Sequence, residues 1–117
     1  MGLFGRSRDL RELDAAFRAV DLHRQLVPEA VKLAMLKLMK GRADADPGRA
    51  AALIAYCMVG AEPFAAANGA GYAAEIERRI EAAAAAGDSL DAELVLLAIY
   101  AKVIQPTIVA RFGLEAG

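Results

Sequence analysis

Residues 90–110 read LDAELVLLAIYAKVIQPTIVA, and wound into a helix of about 3.6 residues per turn their apolar side chains point in nearly every direction. Only Asp91, Glu93, Lys102 and Gln105 interrupt them. A helix without a polar face has to be enclosed, either by the rest of its own chain or by another one. The segment therefore predicts a central helix, self-association, or both. It does not read as a membrane span, because Glu93, Lys102, Gln105 and Pro106 lie inside residues 92–110. Each charge at bilayer depth costs roughly 2.5–3.5 kcal/mol. Pro106 predicts a bend in a long final helix that Asp88 or Ser89 caps.

Working outward, prolines, glycines and capping residues divide the remainder into helices. Ser7 or Asp9 caps a first helix expected to run to about Leu26, with Leu10, Leu13, Ala16, Phe17 and Val20 as its apolar stripe. Arg8 with Glu12 and Asp14 with Arg18 are expected as exposed i,i+4 pairs. Pro28 opens a second helix ending at Lys40, with Gly41 as a left-handed cap. Glu29, Lys32, Lys37 and Lys40 form its polar side, but Leu33 and Leu36 lie among them and suggest a contact surface. Asp46 and Pro47 start a third helix that carries no charge from Ala50 to Ala61, so it belongs inside. Pro63 ends or kinks it, and one further turn through Ala67 follows. A charged helix from Tyr72 to Ala86 expects Glu75 to pair with Arg78 and Arg79, and Gly87 stops it. Strict strand alternation is absent. The expected fold is all-α: one domain over 1–117, a compact bundle of five or six helices with apolar helices at its centre, and residues 1–7 flexible.

Composition narrows the function classes. Hydrophobic residues make up 57% of the 117 residues against a usual ~45–50%, and a chain this short buries only about two-thirds of its unfolded surface. Apolar surface left over is the expected result. Fourteen basic and 15 acidic side chains give a net charge of -1, so no global field attracts phosphate backbones and nucleic-acid binding is not expected. Arg6, Arg8 and Arg11 read as a solvated N-terminus. The start MGLFGRSRDL has no apolar core after a basic stretch, and Gly2 is followed by Arg at position 6 where a myristoylation motif needs Ser or Thr. With Cys57 as the only cysteine, the expected compartment is the reducing cytoplasm.

Chemistry-bearing constellations do not emerge. His23 is the only histidine, which leaves no His-based metal set, and Asp88, Asp91 and Glu93 are explained by a helix start. Cys57 lies in an uncharged helix where desolvation makes a thiol inert, so a Cys57–His23 couple is not expected. Gly69-Ala70-Gly71-Tyr72-Ala73-Ala74 matches the glycine pattern of a dinucleotide turn, but the preceding EPFAAAN lacks the β-branched residues of a strand. It reads as a turn between helices. No catalytic residue, cofactor or metal ligand is assigned.

Two functional readings follow. The first is a small non-enzymatic cytoplasmic module for self-association and protein interaction, most simply a homodimer, with Leu33 and Leu36 at the interface. The second is a ligand-binding protein or small enzyme with an apolar pocket between helices, where Tyr56, Cys57 and Tyr100 supply the polar or soft groups.

Overall fold

A computed structural model describes residues 7–115. The flexible stretch expected at 1–7 lies outside the described residues except for Ser7, whose hydroxyl accepts from the Leu10 amide and caps the first helix. Seven α-helices follow: α1 (Arg8–Ala19), α2 (Glu29–Met39), α3 (Pro47–Val59), α4 (Ala61–Asn68), α5 (Ala70–Ala86), α6 (Leu90–Tyr100) and α7 (Pro106–Phe112), with a short 3-10 turn at Arg24–Leu26. No strand occurs among the described residues. The fold is an all-α bundle, as the sequence predicts.

The charge-free helix α3 is the centre. Every residue from Ala50 to Cys57 is buried, and α1, α4, α5 and α6 all pack on it. Four alanines, Ala50, Ala51, Ala52 and Ala55, keep its surface low enough for neighbours on all sides, because interaxial distance follows the side chains at the contact. Phe17, Met35, Phe64, Ile76, Ile80, Leu94 and Ile108 belong to the same buried cluster. Asp46 caps its start by accepting from the Gly48 amide, ahead of Pro47.

Two helix ends differ from the sequence reading, and for one reason. The first helix stops at Ala19 instead of Leu26, because Asp21 turns left-handed at φ 66 and the Asp21 and Leu22 amides donate back to Arg18 and Phe17. That is a Schellman cap with aspartate in the place usually held by glycine. Likewise α6 stops at Tyr100: Lys102 is left-handed at φ 60, and the Lys102 and Val103 amides return to Ile99 and Ala98. Pro106 therefore starts a separate α7 rather than bending a long final helix. The residue before a proline is pushed towards extended backbone, and Gln105 adopts it at φ -67, ψ 136. Gln105 also fastens this turn to the end of α3: its amide donates to the Cys57 carbonyl at 2.8 Å and its side chain to Met58 at 2.7 Å. Both carbonyls lie in the last turn of a helix, where no intrahelical donor is left.

Candidate functional site

Helix α2 packs on α1 and α6, and of the exposed large apolar side chains Leu33 lies on α2, Leu96 and Tyr100 on α6 and Leu26 on the 3-10 turn. The placement of α2 begins with Lys32, which the sequence assigns to the polar side. The structure corrects this: Lys32 is buried, and its ammonium donates to Asp14 at 3.0 Å and to the Arg24 carbonyl at 3.3 Å, with Glu29 at 3.4 Å. Asp14 is corrected too. Instead of facing solvent with Arg18, it points from α1 into the α1–α2 seam and is 8% exposed. Arg24 approaches its second oxygen at 3.8 Å. Both placements were available in the spacing, since Asp14 belongs to the stripe Leu10, Leu13, Asp14, Phe17 and Lys32 to Pro28, Lys32, Met35, Met39.

Successive residues on a helix are about 100° apart, so inward Lys32 turns Leu33 outward. Leu33 is 51% exposed. Leu36, the other expected interface residue, is only partly buried and packs against the core from one side. On this side a groove of about 500 Å³ runs between α1 and α2, floored by Leu33, Leu36 and Met39. On the other side of α2 a groove of about 340 Å³ lies against α6, lined by Leu38, Leu96, Leu97 and Tyr100. Lys37 borders both. Leu96 also lines a third apolar hollow towards α5 and Leu114. The three form one band across α1, α2, α6 and α5. Leu96, which sequence reasoning placed inside an enclosed helix, is 45% exposed within it.

The three expected pocket residues are not brought together. Tyr56 and Cys57 are wholly enclosed in α3, whereas Tyr100 is 78% exposed at the end of α6. Burial pushes the Cys57 thiol up to about 12, against a small opposing pull from Arg79. The Tyr56 hydroxyl is also raised, first by burial and then by its bond to Glu77. Tyr56 donates to Glu77 at 2.7 Å, and Arg111 on α7 reaches Glu77 at 3.1 Å and the Tyr56 oxygen at 3.4 Å. This cluster ties α3, α5 and α7 and leaves no acid or base free.

Other charges join elements in the same way. Arg79 does not pair with Glu75; it reaches Asp91 with two bonds of 2.7 and 3.0 Å, and those bonds hold the Asp91 carboxyl below its usual range despite partial burial. Arg42 holds the α2–α3 loop to Glu93 and Asp44. His23, expected near the end of the first helix, caps the 3-10 turn by accepting from the Gln25 amide at 3.1 Å. The glycine-rich turn reduces to Gly69 alone, at φ 99 between α4 and α5, and the segment before it is the helix α4. Among the described residues no three His, Cys, Asp or Glu side chains group as metal ligands, and no helix is long and apolar enough to cross a membrane. Comparisons with protein families, with curated proteins and with solved structures give no match.

Proposed function

We propose that this protein is a non-enzymatic interaction module that pairs with a second copy of itself through the band on α2 and α6. The observation that carries the reading is the inverted polarity at positions 32 and 33, where the lysine is inside and the leucine outside. Burying a charge is costly even when it is paired, and exposing a leucine forgoes roughly 1.5–3 kcal/mol of burial. An isolated domain gains nothing from that exchange, whereas one whose Leu33 is covered on association recovers the second loss. Leu96 and Tyr100 add two exposed apolar side chains on the α6 side of α2, where Lys37 borders both grooves.

The test is Leu33→Glu combined with Leu96→Glu, followed by native mass spectrometry and circular dichroism. The double variant is expected to be monomeric with unchanged helix content, because neither side chain belongs to the buried core. Retention of a dimer by the folded variant would overturn the reading.

A further inference from the structure

The groove between α1 and α2 has two walls of opposite charge. Asp9 and Glu12 line it from α1, and Lys37 and Lys40 line it from the last turns of α2, with Leu33 and Leu36 between. The two helices run antiparallel along it: Asp14, further along α1, meets Lys32 early in α2, while Asp9 at the start of α1 shares the groove with Lys40 just past the end of α2. Among the described residues no ion pair crosses it. Glu12 is held from outside by Arg8 on its own helix at 3.3 Å, and among the described residues no ion pair engages Asp9, Lys37 or Lys40.

A two-fold axis lying in a patch lays it against itself with the sides across the axis exchanged and the order along the axis kept. Running along this groove, it sets the acidic wall of each copy against the basic wall of the other, twice, around a shared floor of Leu33 and Leu36, whereas an axis across the groove sets like walls together. Any partner laid on the groove must meet both signs in this order, and a second copy related by a two-fold axis running along the groove does so. We infer that the α1–α2 groove is the part of the band on which the two-fold axis of the pair lies, and that opposite charges on its walls select the axis that runs along the groove. The inference rests on the self-association reading and adds to it the place of the axis and the relative orientation. Charge of this kind selects orientation and partner more than it adds affinity, whereas like charges facing each other are strongly unfavourable.

Two charge-reversed proteins test it. Lys37→Glu with Lys40→Glu makes both walls acidic, and Asp9→Lys with Glu12→Lys makes both walls basic. Sedimentation velocity is expected to show each alone associating about a hundredfold or more weaker than the parent, and an equimolar mixture restoring a one-to-one heterodimer. Circular dichroism checks that each stays helical, and restoration on mixing cannot come from misfolded variants. If the parent dimerises and the reversed proteins dimerise equally well, or fail to recombine when mixed, the axis lies elsewhere and this inference is overturned while the self-association reading stands. A monomeric parent would overturn both.

Discussion

Lys32 on α2 donates to Asp14 on α1 across 3.0 Å, with the two side chains only 4% and 9% exposed. Together with buried Val31, Met35 and Met39 on the same side of α2, this pair leaves Leu33 facing outward. Removing Asp14 leaves the ammonium in the seam with only half-exposed Glu29 and a carbonyl as partners. Asp14→Ala is expected to cost about 3 kcal/mol, while the paired change Asp14→Leu with Lys32→Met is expected to be close to neutral. Urea unfolding of the three proteins checks this; equal losses from the single and paired changes would show that the ion pair is not the relevant contact.

The Arg79–Asp91 pair joins α5 to α6 and predicts a pH dependence. The folded-state pKa of Asp91 lies below its unfolded value of about 3.9, so its contribution is fully present above that value and is lost as pH falls through the folded pKa. Asp91→Asn is expected to be less stable than the parent by about 1.5 kcal/mol near neutrality. Urea midpoints measured from neutral pH down into acid are expected to converge. A gap independent of pH would contradict the assignment.

At the alkaline end the sign reverses. Burial keeps the Cys57 thiol protonated in the folded state up to about 12, whereas the unfolded thiol ionises near 8.5. Above that pH the unfolded chain releases its proton first, and stability falls. Thiol labelling without denaturant is expected to be far slower than in the unfolded chain, because it must wait for α3 to open. In Cys57→Ala the alkaline loss is expected to be shallower, with the remainder above about pH 10 due to Tyr56, whose hydroxyl is raised in the same sense. Rapid native labelling would place Cys57 nearer the surface than α3 allows.

What the sequence made legible depended on whether a position was marked by a residue with one strong habit. Asp46 before Pro47, Ser89, Gly60 and Gly87 sit at observed helix boundaries. Asp21 and Lys102 carry no such mark, yet they adopt the same left-handed turn, and both helices they close were read too long. The bonds that close these caps, Leu22 to Phe17 and Val103 to Ala98, are made by backbone groups every residue carries, so no side chain announces them. The candidate surface was half legible. Leu33 stood out as a leucine among lysines, but the inward turn of Lys32 and the exposure of Leu96 depend on how α2 lies against α1 and α6.

The left-handed lysine gives a prediction of its own. A non-glycine residue at positive φ costs roughly 1 kcal/mol, and Lys102 is exposed, with no partner for its side chain among the described residues. Lys102→Gly is expected to raise the melting temperature by a few degrees, offset in part by the greater freedom glycine gives the unfolded chain. A lowered melting temperature would mean that the lysine side chain stabilises the α6–α7 turn.

The central claim is that α2 and α6 leave a face for a second copy, and the mass of the protein in solution tests it most directly. Sedimentation equilibrium at roughly 50 µM lies above the micromolar upper limit expected for an interface of ordinary size. There the account predicts twice the 12.3 kDa of the chain, decreasing towards the single-chain mass on dilution. A mass of 12.3 kDa throughout would contradict it.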